Sequence, residues 1–493
     1  MSDLVALGAL VTALAVPAGS AVVGFAVPRR PAVRAADVVA SAAVLGAGAV
    51  LLARVRDGAV TAPGGLLRVD ALAAYLLVVV GAVALTATWG GAQRGRTTSG
   101  RYTGLVCLFL TAMVLAVVAD DLGVTWVAVE GTTIATAFLV GHAGGRKAVE
   151  AAWKYVVLAS VGVGIAFLGL VILYAATRAA GTPTLSWVRL ATEQPDVDPT
   201  VARMGLVLAA LGFATKAGLA PMHAWLPDAH SQAPAPVSGL MSGVLLAVAF
   251  GAVLRVQRLD VLLLGGTAVR TLLLAGGLLS LLVAAALVVT QRDVKRLLAY
   301  SSIEHMGLVA VAAAIGTPLA LGAMLVHLLV HGLAKASTFV MAGRVLAHER
   351  TTAVADVRGL ARRAPRIGVP FLAGVVTLLG LPPSGLFLTE VALVVAGFRA
   401  GYGWAMLVLL VLLLVVFAGM GRAALTMTLG GGPDGPDRPA PAPDGPDGAA
   451  AAALDAPLAP VVLALAAAAL VVVAPEPFAG ALRAAVDVLG GAR

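Results

Sequence analysis

Five of the 34 basic side chains in this sequence are lysines, and three of them, Lys154, Lys216 and Lys335, fall inside or against apolar stretches. Arginine fills the loops. An arginine keeps its proton at any relevant pH, whereas a lysine can release its proton when desolvated. A chain that places lysine in its apolar segments and arginine elsewhere is suited to carrying protons. Two carboxylates have similar settings. Glu130 lies about eight residues into its apolar stretch, roughly 12 Å deep at 1.5 Å per residue, and Glu390 lies in the second half of the stretch 368–396. Lys216 is near the middle of 204–226. An ionisable group at the centre of a membrane helix costs about 2.5–3.5 kcal/mol on insertion scales. A buried ion pair adds little net stability in return, so a transport role explains these groups better than a structural one.

The stretch 319–343 holds His327, His331 and Lys335. The spacing i, i+4, i+8 puts all three on one helix face over about 12 Å. A lone histidine would read as a helix–helix hydrogen-bonder, but three titratable groups in one stripe read as a proton relay. A metal site is the weaker reading, because no third ligand such as an adjoining His-Glu pattern accompanies the two histidines.

Two stretches contain prolines that break a helix. One runs Lys216-Ala-Gly-Leu-Ala-Pro221; the other runs Gly380-Leu-Pro-Pro383. They share a Gly-Leu-x-Pro core, and each lies beside a buried charge. Matching broken helices in two halves of a chain point to a transport site at a repeat interface, since proline frees a backbone carbonyl for water or polar side chains.

Positioning such groups requires a membrane-embedded scaffold, and the composition supplies one. Of 493 residues, 60% are hydrophobic and 12% charged, and the mean hydropathy is +0.98. A soluble domain has about 25% charged residues. Fourteen apolar stretches can be counted between residues 4 and 474, separated by charged or Pro/Gly breaks. Lipid demands internally satisfied backbone groups and no alternating barrel pattern is present, so all are read as helices. The fold class expected is all-α, a polytopic membrane protein of about 14 transmembrane helices.

The same composition excludes secreted, disulfide-bonded, nucleic-acid-binding and disordered classes. The single cysteine, Cys107, sits in an apolar run and reads as a small buried hydrophobe; any coupled electron transfer therefore belongs to another chain, and no cofactor is expected in this one. The net charge of +9 reflects arginine-rich loops facing lipid headgroups. Asp3, with no basic residue before Arg29, argues against a signal peptide. Gly162 and Gly164 lie in an apolar span and read as helix packing rather than nucleotide binding. Gly430–Gly448, rich in Gly, Pro and Asp, reads as a linker, and Asp434 and Asp437 lack the spacing of a calcium loop. With the N-terminus outside, 19 basic residues fall in inside loops and 12 outside, which places both termini outside.

The string KAGLAPMHAWLPDAHSQAPAPVS at Lys216–Ser238 and DVKRLLAYSSIEHMG at Asp293–Gly307 resemble the antiporter-like proton-translocating subunits of respiratory complex I, M/N-type. WVAVEGTT at Trp126–Thr133 and EAAWKYVVL at Glu150–Leu158 are most similar to hydrogenase-4 component F of group 4 membrane-bound hydrogenase complexes. The resemblance covers roughly residues 100–430. It implies two inverted five-helix repeats with two broken helices, divided as N-terminal helices 1–100, first repeat 101–258, second repeat 259–429, linker 430–450 and C-terminal helix and tail 451–493. It also implies roles: Glu130 paired with Lys216, His331 and Lys335 as central connectors, and Glu390 as the terminal group. Lys154, His223, Asp228 and His305, within or beside the same strings, are secondary candidates. One departure stands out, because Ala247 occupies a helix-eight position where relatives often carry Lys, His or Asn. The chain also lacks a long lateral helix after its last span, which favours the M/N or hydrogenase type.

The function expected is coupling of electron transfer on partner chains to proton pumping, as one subunit of an oxidoreductase complex in a bacterial inner membrane. Loss of the Glu130 charge beside Lys216 would release the lysine proton through His327, His331 and Lys335 towards Glu390. The expected partners are other membrane subunits, a soluble redox arm, the bilayer and H+, with Na+ as the alternative ion and no nucleic acid. Two other readings are a subunit of a multi-subunit Na+/H+ antiporter and a non-transporting membrane scaffold.

Overall fold

The computed structural model describes residues 2–27, 33, 35–55, 58–91, 99–431, 457–471 and 476–490. The chain opens with α1 (Ser2–Ala26) and α2 (Ala36–Arg54), then a short hairpin of β1 (Val60–Thr61) and β2 (Arg68–Val69). Next come α3 (Ala71–Gly90), α4 (Gly100–Val118), α5 (Leu122–Gly141), α6 (Arg146–Ala179) and the surface helix α7 (Trp187–Glu193). The middle holds α8 (Pro199–Lys216), α9 (Trp225–Gln232), α10 (Ala235–Leu240), α11 (Leu246–Leu264), α12 (Thr267–Val288), α13 (Val294–Ile315) and α14 (Pro318–Glu349). The last part holds α15 (Leu360–Arg363), α16 (Pro365–Leu378), α17 (Gly385–Arg399), α18 (Gly403–Leu429), α19 (Ala459–Leu470) and α20 (Glu476–Val488). Among the described residues, 11 helices are long and apolar enough to cross a membrane. The linker expected at 430–450 falls outside the described residues beyond position 431, as do Asp434, Asp437 and the loop arginines 29, 30, 34, 94, 96 and 438.

Several spans differ from their sequence boundaries for local reasons. α6 starts at Arg146 rather than near 155, because Glu150 and Lys154 pair at i, i+4 on its first turns and a charged turn stays helical while failing a hydropathy count. The stretch 204–226 is not one helix. α8 begins at Pro199, capped by the Asp198 carboxylate on the Thr200 and Val201 amides, and stops at Lys216. Lys216 is therefore a helix terminus and not a mid-helix residue. Gly218 at φ +80 turns the chain, and α9 resumes at Trp225. In the second break α16 ends at Leu378, Gly380 turns at φ +61, and α17 starts under a Ser384 cap. α10 and α11 form one continuous rod from Ala235 to Leu264, joined by a π-helical turn at Met241–Leu245.

The middle of that rod is buried, with Ala235, Arg255, Arg258 and residues 261–264 partly accessible, and α3, α13 and α14 are buried along most of their length. These four form the centre. α1 and α18 lie at the rim, where Leu407, Val411 and Leu414 of α18 are exposed, an arrangement suited to lipid. Between helices in lipid, close packing depends on small residues. α6 meets α8 through Gly169 and Gly205, whose added Cβ atoms would strike opposing backbone, and through Gly162, where one would collide with Thr215. Gly164 faces open space, so only the first of that pair serves packing between helices. At one end of the bundle Asp70 caps α3 and takes a bidentate bond from Arg255 at 2.6 and 2.7 Å, while the guanidinium stacks 3.8 Å over the Trp187 ring. Near the opposite end, buried Arg344 of α14 donates to the Gly90 and Pro457 carbonyls.

Candidate functional site

Because α8 ends at Lys216, its side chain extends from a helix terminus into the centre of the bundle, fully buried. The ammonium donates to Thr133 Oγ1 at 2.7 Å and to Tyr155 Oη at 2.6 Å, and lies 4.6 Å from the Tyr155 ring centre. Thr133 in turn donates to Glu130 Oε2 at 3.2 Å, and Ser160 donates to Glu130 Oε1 at 2.6 Å. Glu130 itself is half-buried. The expected direct pairing of Glu130 with Lys216 is thus replaced by a link through one hydroxyl. Thr133 lies one turn from Glu130 on α5, so it shares that face. The Gly162–Thr215 approach holds α6 close enough to present Tyr155 and Ser160.

The segment after the break brings in a group that sequence reasoning missed. His230 on α9 is fully buried; its Nδ1 donates to the Leu226 carbonyl at 2.9 Å, which leaves Nε2 as an acceptor without a partner. That tautomer is assigned from the partner, since a carbonyl can only accept. The ring lies between Trp225 and Phe339, at centroid distances of 6.2 and 5.6 Å. Trp225 also packs against Tyr155 and lies under Lys216. Lys335 and Lys295 are the charges whose fields reach His230. His230 therefore stands between the Lys216 cluster and Lys335. Ala247, buried in α11, offers no polar group here.

Lys335 of α14 is also fully buried and donates to the Leu298 carbonyl at 2.8 Å and to Ser301 Oγ. One turn along α13 from Ser301, Glu304 and His305 are buried. The three rings of His305, His327 and His331 cluster with centroids 4.8 to 6.3 Å apart. His305 Nδ1 contacts His327 Nε2 at 3.1 Å, and His327 Nδ1 contacts Thr389 Oγ1 at 2.9 Å. The stripe predicted on α14 forms one face, but its order is reversed. Lys335 lies nearest His230, and the histidines follow towards α17. Glu390 of α17 is half-buried, and its carboxylate packs into the space beside Gly380 that a side chain there would fill.

The secondary candidates take other positions. Lys154, expected inside, is a partly exposed member of an ion network in which it meets Glu150 at 2.5 Å and Asp228 at 3.9 Å, while Arg296 pairs with Asp228. The network ties the first turns of α6 and α13 to α9. His223 lies half-buried in the first break, with Nδ1 lacking a partner. Lys295, absent from the sequence candidates, caps α9 by donating to the Ser231 and Ala233 carbonyls at 2.9 and 2.5 Å. Among the described residues, no three His, Cys, Asp or Glu side chains converge as metal ligands. His230, Lys295 and Glu304 all lie inside the two strings that carry the resemblance, each followed by another polar residue, Ser231, Arg296 and His305, so an apolar context did not single them out.

A rod-centred helical membrane protein with two broken helices and a buried row of ionisable side chains is the class that fold and site define. The chain belongs to the NADH:quinone oxidoreductase/Mrp antiporter transmembrane family, whose pattern its residues 119–417 match. It is 37% identical over 292 residues to the hydrogenase-4 component F homolog of Methylacidiphilum infernorum isolate V4, covering 59% of this chain and 61% of that relative. It is 31% identical over 397 residues to NADH-quinone oxidoreductase subunit N of Desulforudis audaxviator, covering 77% and 78% of the two chains. In three dimensions it overlays a chain of the membrane-bound sulfane sulfur reductase, an archaeal respiratory membrane complex, with a TM-score of 0.85 at 25% identity over 97% of each chain.

Proposed function

We propose that this chain is a proton-translocating membrane subunit of a complex I-like or group 4 hydrogenase-type oxidoreductase complex. The observation that carries this is the buried polar row: Glu130–Thr133–Lys216, then His230, then Lys335 with Ser301, and the carboxylates and histidines around α17. Family membership supports it. Electron transfer on partner chains supplies the energy, and other membrane subunits and a soluble redox arm are the partners. The chain sits in a bacterial inner membrane with both termini outside. Repeats at 101–258 and 259–429 are supported by five helical segments, among the described residues, in each of α4–α11 and α12–α18, the fourth of them broken in both.

In this mechanism Glu130 holds the ammonium of Lys216 through Thr133. Withdrawal of the Glu130 charge removes the stabilisation of protonated Lys216, each pKa unit corresponding to about 1.4 kcal/mol. The proton passes by water and His230 to Lys335 and leaves by Glu390. Lys216→Ala and Lys216→Arg test this in everted membrane vesicles energised by the electron donor of the co-purifying redox subunits. Arginine keeps the charge but does not release a proton, so both variants are expected to lose pumping by at least tenfold. Normal pumping with Lys216→Arg would end the proposal. Sodium-dependent transport without a redox substrate would instead favour the Na+/H+ antiporter reading.

A further inference from the structure

The histidine chain beyond Lys335 ends without an exit. Thr389 gives its hydroxyl proton to the Leu386 carbonyl at 2.9 Å, so it accepts from His327 Nδ1–H. His327 Nε2 is then bare and accepts from His305 Nδ1–H. A proton moved along this chain arrives at a hydroxyl committed to a carbonyl, beside Glu390 in sequence but not bonded to it. Another buried ionisable group adjoins this chain, one residue from His305. Glu304 is 4% exposed, its Oε2 has no hydrogen-bond partner, and the charges whose fields reach it are those of Glu390 and Lys335. It sits one turn of α13 from Ser301, the Lys335 acceptor, and next to His305. Lys335 of α14 bonds Ser301 one turn away, the adjoining His305 meets His327 and His331 of α14, and His327 bonds Thr389, which precedes Glu390 on α17. A buried carboxylate with an unmade bond is costly as an idle structural feature.

We propose that Glu304 is a proton-carrying residue that takes the Lys335 proton and passes it to Glu390. This rests on the proton-translocation reading above. In the first step the Lys335 ammonium gives H+ to the Glu304 carboxylate, leaving a neutral amine and a carboxylic acid. In the second, Glu304 gives H+ to the Glu390 carboxylate and returns to its ionised form, ready for the recharged lysine. Two carboxyl groups that share a dry interior do not both ionise readily, so Glu390 keeps its proton until Glu304 is recharged by Lys335, releases it outward, and then takes the Glu304 proton.

The test uses the intact complex in everted vesicles. Glu304→Gln keeps the shape and removes proton exchange, and is expected to lower redox-driven proton uptake at least tenfold, while Glu304→Asp retains a third or more. If Glu304→Gln pumps within twofold of wild type while Lys216→Ala is inactive, this proposal is wrong and the function stands. If Lys216→Ala also pumps normally, the functional reading itself fails. Should Glu304→Gln not assemble, infrared difference spectra of protonation in wild type and Glu304→Asp decide. A carboxyl band that changes from Glu to Asp character supports the proposal; identical spectra overturn it.

Discussion

Thr133 shows how one hydroxyl can set the chemistry of a buried lysine. Thr132 and Thr136 on the same helix bond to carbonyls of their own helix, as apolar-helix threonines usually do, whereas Thr133 bonds Glu130 and Lys216. Thr133→Val keeps the volume but leaves a buried ammonium and a carboxylate each short of a partner, a penalty of about 1–3 kcal/mol for each unsatisfied group. The expected result is a roughly tenfold loss of pumping, with Thr133→Ser close to wild type, read as proton uptake in vesicles. At this scale the charged members of the row were legible because ionisable groups in apolar stretches are rare. The hydroxyls were not, because a threonine in a membrane helix has several roles that look alike in sequence.

At the scale of elements, the breaks place the groups. Lys216 reaches the core because α8 stops there, and the Glu390 carboxylate has room because Gly380 has no side chain and adopts φ +61. Gly380→Ala would strain the backbone and put a methyl where the carboxylate lies. It is expected to lower pumping severalfold and to destabilise the protein by about 1–3 kcal/mol, seen as a lower unfolding temperature in detergent. The α6–α8 contact gives a paired comparison. Gly162→Ala meets Thr215 and should cost about 1–3 kcal/mol, while Gly164→Ala faces open space and should stay within about 0.5 kcal/mol. The Gly-Leu-x-Pro pattern announced both breaks, but their depth depended on where α8 and α16 begin, and that depended on caps such as Asp198.

Over the whole molecule, the Asp70–Arg255–Trp187 clamp joins α3, α11 and α7 at one end of the bundle. Burial alone would raise the Asp70 carboxyl, but the Arg255 guanidinium beside it outweighs that and holds it below the usual carboxylate range. A carboxyl lowered on folding contributes stability at neutral pH that is lost as pH falls through its folded value; for an unperturbed Asp near 3.9, the loss lies below about pH 4. Breaking this buried pair with Asp70→Asn is expected to cost about 3 kcal/mol and to flatten acid unfolding below that pH, as followed by circular dichroism in detergent. Mild-detergent purification, with identification of the redox subunits that accompany the chain, checks the assembly proposed for it.

Composition and spacing determined that this chain is a polytopic helical membrane protein, that it has two related breaks, and that Glu130, Lys216, Lys335, the α14 histidines and Glu390 are its unusual groups. Those features depend on how often polar residues recur along the chain, and the chain order records that directly. The tertiary structure decided which of them meet: Thr133 between Glu130 and Lys216, His230 between the two lysines, His327 against Thr389 beside Glu390, and Lys154 drawn out to an ion network with Asp228. These contacts join residues up to 83 positions apart, as from Thr133 to Lys216. Helix ends and close approaches at small residues set them, and one-dimensional periodicity carries no information about either.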